Sequence, residues 1–419
     1  MELKIPKSST KIDIQWIFTL FGTAVGAGLL YLPIQAGQSG FWAVLTVLIF
    51  ALPLTYLSHR NMSNIVINSD SGIADVFTND LGKFFGLICV VLYFFAIFLN
   101  MPMYSIGLNN ELGNILLKYN ITSYNISTNI WFSFSFLFIL LTIVSFGINV
   151  ILKFMQVVVA ILILLVVVLS IYIIQFWNGI YVLESVFNLK DYIIGVLMVL
   201  PILILSMNFS PVVSSLVVFY KTNFSKTHNQ EQSHIHSIIK INSSVLFIFV
   251  LLFITSCLLA TTPEQITIAS SDNLSIVTLL QQNHKSLVLD ILAPTIVFTA
   301  IISSFIGCYI GSKEALKYLL KYSIKNIYNK DASDSLLDKI CIVLIFIILW
   351  ICTICNFKIL NIIGILVAPT VAFLLYILPT IVIYKNIKYN EYRKSILNLI
   401  LVIVGLTVIF GYIIGLLFN

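Results

Sequence analysis

Apolar residues run through this chain in blocks near 20 residues long, separated by short polar stretches, and that pattern predicts a bundle of membrane-crossing helices. Blocks at about 14–35, 40–59, 84–107, 129–148, 151–176, 192–219, 241–261, 289–311, 338–356, 360–384 and 396–417 each approach the length an α-helix needs to cross roughly 30 Å of hydrocarbon. Eleven spans are therefore expected. The longest gaps, near 60–83, 220–240, 262–288 and 312–337, read as polar loops, and no soluble domain fits between the blocks. The first block is too long for a signal-peptide core and no small-residue cleavage site follows it, so it is kept as a span.

Two of the blocks are interrupted. The first contains Phe21-Gly-Thr-Ala-Val-Gly-Ala-Gly-Leu-Leu-Tyr-Leu-Pro33, which places Gly22, Gly26 and Gly28 in its middle. An interior glycine costs a helix roughly 1 kcal/mol relative to alanine. In a bilayer, non-helical backbone persists only where it is buried in protein or lines a cavity. The segment reads either as a binding site at mid-membrane or as a Gly22-x-x-x-Gly26 packing surface. The sixth block contains Leu205-Ser-Met-Asn-Phe-Ser-Pro211 between two apolar halves. Pro211 removes a backbone donor, while Ser206, Asn208 and Ser210 can satisfy loosened backbone groups.

Blocks one and six are corresponding members of two five-helix sets, and because five is odd the second set crosses in the opposite sense. Paired interruptions in inverted halves point to a transporter site near the bilayer midplane. The expected fold class is an all-α integral membrane protein of eleven helices, a 5+5 inverted repeat with broken helices 1 and 6 plus helix 11. The whole of 1–419 reads as one transmembrane domain, with a first repeat over about 13–180, an inverted second over about 190–385, and an extra helix over about 395–419. Half-helix N-termini suit a carboxylate, and half-helix C-termini with unwound carbonyls suit an ammonium or a metal cation. A free amino acid carries both charges on one carbon and can bridge the two breaks through backbone groups alone.

Composition agrees with the pattern and narrows the chemistry. Hydrophobic residues make up 59% of the chain and charged ones 10%, against the roughly 25% charged residues of a soluble domain. With the N-terminus placed inside, 19 of the 23 Lys and Arg fall on the cytoplasmic side, leaving Lys118, Lys190, Lys285 and Lys358 opposite. This asymmetry implies an N-in, C-out topology. It accounts for the net charge of +6 without a nucleic-acid partner. The acids fall in loops or near block ends, as Asp13 and Asp290 do, so no intramembrane proton relay is evident. Cys89, Cys257, Cys308, Cys341, Cys352 and Cys355 read as small packing residues, and Cys352-x-x-Cys355 lacks the further ligands of a zinc site. The histidines, His59, His228, His234, His236 and His284, are placed in loops or at helix ends, with His234 and His236 read as a solvated pair.

Several motifs resemble those of bacterial serine/threonine permeases of the hydroxy and aromatic amino acid permease family. They are the glycine segment of helix one, Thr55-Tyr-Leu-Ser-His-Arg60 closing helix two, and Tyr93-Phe-Phe-Ala-Ile97 in helix three. Asn208-Phe-Ser-Pro-Val-Val-Ser-Ser215 in helix six and Gly307-Cys-Tyr-Ile-Gly311 in helix eight complete the set, in order from about residue 13 to the C-terminus. The resemblance implies the leucine-transporter fold and secondary active uptake of an amino acid. It implies that the substrate carboxylate meets the backbone near Ala24, Ala27 and Gly28, and the ammonium meets carbonyls near Met207, Asn208, Phe209 and Ser210. Tyr104 is a wall or hydroxyl partner, or alternatively an interfacial packing residue. A substrate hydroxyl would look to Thr23, Asn208 or Ser210.

The resemblance also implies a cation site. In sodium-coupled members of the wider fold, helix-eight hydroxyls spaced like Ala300-x-x-Ser303-Ser304 face helix-one carbonyls equivalent to Gly22 and Val25. Serine/threonine permeases often carry a lysine at the position matching Ser303, where this chain has an oxygen ligand. Hard cations prefer oxygen cages. Either Na+ or H+ is thus expected as the coupling ion, with Lys153 the alternative proton-coupling group. The expected function is a symporter importing a small neutral amino acid, serine or threonine first, across a bacterial cytoplasmic membrane. A permease for an aromatic or other neutral amino acid, and a transporter-like membrane sensor, are the alternatives. No metal cluster, nucleophile–base pair or paired carboxylates mark the blocks as an enzyme. No cofactor beyond the ion and no obligatory protein partner is expected; the partners are the amino acid and the lipid bilayer.

Overall fold

The computed structural model describes residues 9–69, 72–224, 228–271, 274–284, 286–329, 332–355 and 367–418. Among these the chain is helical almost throughout. In order, α1 (Ser9–Ala24) and α2 (Ala27–Gln38) share the first block, followed by α3 (Phe41–Ile67), α4 (Ile73–Leu81), α5 (Lys83–Phe98) and α6 (Asn100–Lys118). Then come α7 (Ile130–Ser145), α8 (Ile148–Tyr172), the short α9 (Ile180–Leu183), and α10 (Leu189–Ser206) with α11 (Ser210–Asn223), the two halves of the sixth block. The chain continues through α12 (His228–Leu259), α13 (Pro263–Ser271), α14 (Ile276–His284), α15 (Leu287–Tyr328) and α16 (Asp334–Cys355). Two further apolar helices cover Val367–Lys385 and Leu397–Phe418.

Among the described residues, eight helical stretches are long and apolar enough to cross a membrane, with α5–α6 and α10–α11 each counted as one, or up to ten if each of two bent pairs counts as one span. One of those pairs is the first block, bent by 49° between its halves. The fourth expected block falls on α7, whose 16 residues fall short of that length. The expected number of eleven is therefore not reached by length alone. Residues 360–366 of the tenth block lie outside the described residues, as do Lys4, Lys7, Lys226, Lys285, Lys330 and Lys358 of the charge argument.

The gaps read as loops are largely helical, which corrects the sequence reading. α3 runs on to Ile67, α4 fills 73–81, α12 begins at His228, α13 and α14 occupy the gap after 262, and α15 extends to Tyr328. The reason is visible in α3. Its last two turns bury Asn61, Ser63 and Asn64 along with Met62, Ile65, Val66 and Ile67. Asn61 donates to Asn398 Oδ1 at 2.8 Å, and Asn64 Oδ1 lies 2.7 Å from His236 Nε2. Buried polar groups paired across helices prolong an element past the point where hydropathy ends.

The histidines are likewise corrected. His59 is inside α3 and 1% exposed, and His234 and His236 sit on α12, bonded to Asp13 and Asn64 rather than solvated. Among the cysteines, Cys352 is half-buried and Cys355 exposed, so only four are buried packing residues. Several acids lie within helices that qualify as spans, among them Glu111 on α6 and Glu314 on α15. At the core, α1 packs on α8, α12 and α15, while the sixth-block halves pack on α2, α3 and α15.

Candidate functional site: two facing helix breaks

α1 ends at Ala24, the chain bends through Val25 and Gly26, and α2 starts at Ala27. Val25 N–H still reaches Phe21 O at 2.9 Å, but Gly26 N–H turns to Ala24 O at 3.0 Å, which ends the α pattern. Gly26 precedes α2 and offers no side-chain cap. The first N–H groups of a helix have no intrahelical partner, so this end is built to face an anion. Gly28 lies in that first turn. The side chain of Ala27 lies outside the described residues.

The other side of the bend is held by α15. Ser304 Oγ donates to Gly22 O at 3.0 Å and to Thr23 O at 3.1 Å, while Ser303 Oγ donates to Ala300 O at 3.0 Å. Tyr104 is hydrogen-bonded to Ser304. This closeness requires glycine on both helices. A Cβ at Gly26 would run into Ser304 and stand 3.4 Å from Tyr104 Oη, and one at Gly307 would run into the Thr23 side chain. Gly22, Thr23, Tyr104, Ala300, Ser303 and Ser304 thus come together, with Ala24 and Val25 buried in the adjoining turn. The Thr23 hydroxyl donates to Thr19 O at 2.7 Å, along its own helix. Here it is not turned toward a substrate.

The second break covers Met207, Asn208 and Phe209 between α10 and α11. Met207 N–H bonds Leu203 O at 3.1 Å and Asn208 N–H bonds Leu205 O at 3.3 Å, so α10 tightens as it ends. Asn208 Oδ1 accepts from Ser210 N–H at 3.0 Å and starts α11, with Pro211 in its first turn, where a missing N–H costs nothing. Tyr93 Oη reaches Ser210 O at 3.5 Å. The two breaks lie side by side: a Cβ at Gly28 would stand 3.6 Å from Ser206 Cα. The end of α10, which leads directly into Met207, therefore adjoins the start of α2.

Lys153 is not brought to this site. It is exposed near the start of α8, whereas Met155 and Val159 of the same helix pack toward Gly22. Two residues beside the breaks were missed. His59 sits against Met207–Phe209, accepting from Phe209 N–H at Nε2, 3.1 Å away. Glu314 lies further along α15, where Ser214 and Ser215 of α11 donate to its two oxygens at 2.5 and 3.0 Å. Ile73 N–H in turn donates to Ser214 Oγ at 2.9 Å, tying in α4. His59 stands one turn after Thr55, whose hydroxyl lies 3.7 Å from Met207 Sδ, a placement that no local sequence pattern marks.

A family model described as the tryptophan/tyrosine permease family matches residues 14–415. The chain belongs to that family. The permease is 29% identical over 414 residues to the serine transporter SdaC of Escherichia coli (strain K12), covering 95% of its own length and 94% of that protein. It is 30% identical over 423 residues to the threonine/serine transporter TdcC of Escherichia fergusonii, with 95% and 94% covered. In three dimensions it is similar to MhsT, solved in complex with L-phenylalanine, at a TM-score of 0.62 and 13% identity over 99% of both chains. It is also similar to the Eremococcus coleocola manganese transporter, at a TM-score of 0.60 and 12% identity over 99% of the permease and 88% of that chain. These likenesses show its fold, the leucine-transporter arrangement. The permease is a multi-pass membrane transporter of an amino-acid permease family rather than an enzyme.

Proposed function

We propose that the permease imports a small neutral amino acid, serine or threonine first, across the bacterial inner membrane by alternating access and in symport with a cation. The observation that carries this reading is the face-to-face placement of the two breaks, with Gly28 against Ser206. The uncapped start of α2 takes the substrate carboxylate, and the carbonyls around Met207 to Ser210 take its ammonium. Asn208 and Ser210 stand within reach of a hydroxyl on the substrate side chain. Serine and threonine, which the similar transporters are named for, fit this polar lining better than a large aromatic side chain does.

The coupling ion in this reading is sodium, held between the Gly22, Val25 and Ala300 carbonyls and the Ser303 and Ser304 hydroxyls. Support comes from Ser304, which already fixes the Gly22 and Thr23 carbonyls toward α15. A bound cation replaces the hydroxyl hydrogen as their partner, while the hydroxyl oxygen turns its lone pairs to the ion. The test is labelled-serine uptake into proteoliposomes, with sodium and proton gradients imposed separately. Accumulation driven by sodium alone is expected, weakened in Ser303→Ala. Accumulation driven by protons and indifferent to sodium overturns the ion assignment, and no uptake under either gradient overturns the substrate.

A further inference from the structure

A side chain from another helix meets a backbone amide of the second break. His59, on α3, is fully enclosed, and its ring lies 3.6 Å from that of Phe209 at an interplanar angle of 17°. Its two nitrogens face opposite partners. Nδ1 lies 2.8 Å from Thr55 O, and a carbonyl only accepts, so Nδ1 carries the hydrogen. Nε2 lies 3.1 Å from Phe209 N, and a backbone amide only donates, so Nε2 carries the lone pair. The partners alone therefore fix the neutral, Nδ1-protonated tautomer. Asn208 is hydrogen-bonded to the same imidazole, and Thr55 touches Met207 through its hydroxyl. Each of the three break residues thus meets α3 at position 55 or 59.

A break in a buried helix leaves amides without their usual carbonyls, and an unmade buried hydrogen bond is costly. Met207 and Asn208 find carbonyls of α10, and Ser210 finds Asn208. The Phe209 amide is met by a side chain of another helix. This fixes which way the Asn208–Phe209 peptide points, and therefore where the Asn208 carbonyl lies.

We propose that His59 is a positioning residue for substrate: its Nε2 lone pair sets the orientation of the break carbonyls that receive the ammonium. The inference rests on the amino-acid reading above. His59 touches no substrate atom and acts only through Phe209 and Asn208.

Two variants separate the acceptor from the ring. His59→Gln keeps an acceptor near the Nε2 position and loses the ring; His59→Phe keeps the stack on Phe209 and loses the acceptor. Serine KM and maximal uptake are measured in proteoliposomes, with thermal melting as a folding check. Hydrogen exchange at residues 207–210 is followed on the full-length protein without substrate. His59→Phe is expected to raise KM about tenfold or more while leaving the melting temperature near wild type, and to speed exchange at Phe209. His59→Gln is expected to restore both toward wild type. Wild-type KM and Phe209 protection in a folded His59→Phe overturns the proposal, and so does an equal defect in both folded variants. If neither variant folds, wild-type exchange decides: a Phe209 amide as fast as an exposed one overturns it, and slow exchange supports it. If the wild type carries no serine, the functional reading fails and substrate positioning falls with it, while the exchange arm still reports whether His59 holds the break.

Discussion

The two breaks solve one problem with opposite chemistry. At the first, carbonyls of the last α1 turn are met by a donor, the Ser304 hydroxyl, and the chain bends at glycines that let α15 come close. At the second, an amide is met by an acceptor, the His59 imidazole, and the chain is shaped by Asn208, Ser210 and Pro211 rather than by glycine. One break is specified by the absence of side chains, the other by their presence. Sterics should therefore damage the first most, whereas loss of a hydrogen-bonding atom should damage the second.

The largest expected effect is Gly26→Ala. Its new Cβ meets Ser304, so α1 and α15 have to part, and a shift on the order of 1 Å at a binding site costs about a hundredfold in transport efficiency. Adding Ser304→Gly should recover part of the loss. Recovery would show that space, not glycine's flexibility, is what the first break needs, and no recovery would break the steric half of the comparison.

Next comes Ser304→Ala, which removes the donor to Gly22 and Thr23 and should lower kcat/KM for serine by about tenfold. An unchanged value would show that the carbonyls need no external partner.

Glu314→Gln tests the tie between α11 and α15 beyond the second break. It replaces a carboxylate that takes two serine hydroxyls, and bonds to a charged group are worth more than neutral ones. A fall of a few degrees in melting temperature is expected, with serine KM changing less than in His59→Phe. A larger KM change than His59→Phe would move the anchor of the second break from α3 to α15.

The smallest expected effect at the breaks is Thr55→Val. Thioether sulfur is a weak acceptor, so losing the 3.7 Å contact with Met207 should change KM by less than about threefold. A pH control lies away from both breaks. His284 on α14 stacks on Phe176 at 3.7 Å, and burial lowers its pKa below the ordinary 6.5. The folded state then binds fewer protons than the unfolded one, so the stability of this contact is full above pH 6.5 and declines as pH falls below it. Melting temperatures of the wild type should drop relative to His284→Phe on going from about pH 8 to about pH 5, and a parallel pair of curves would exclude the stack as a contributor.

Clustered glycines, or a proline among polar residues, stand out in an apolar run, whereas Pro53, Pro201 and Pro294 each sit singly inside a continuous helix. Gly22, Gly26 and Gly28, and the segment from Ser206 to Pro211, therefore mark both interruptions in the sequence itself. The pairing with Ser303 and Ser304 came from the spacing familiar in the wider fold. His59 and Glu314 were not legible, for a common reason. Hydropathy reports which residues face lipid, and α3 and α15 both continue as helices beyond the residues that do. There the packing includes polar pairs, Asn61, Asn64 and His236 on one side and Ser214, Ser215 and Glu314 on the other. Such partners come from remote parts of the chain and leave no local period to read. The same limit makes α4, α13 and α14 read as loops in the sequence.

α15 touches both breaks: Ser304 reaches the end of α1, and Gly311 and Glu314 reach the start of α11. Helices are stiff along their axis, so these grips stay in fixed register over the roughly 15 Å between Ser304 and Glu314. A binding event that shifts α15 at one grip is then felt at the other. By reciprocity, whatever factor an ion at Ser303 and Ser304 adds to substrate affinity, the substrate must return to the ion. Measuring either affinity with and without the other ligand reads that factor from both directions, and the two readings have to agree.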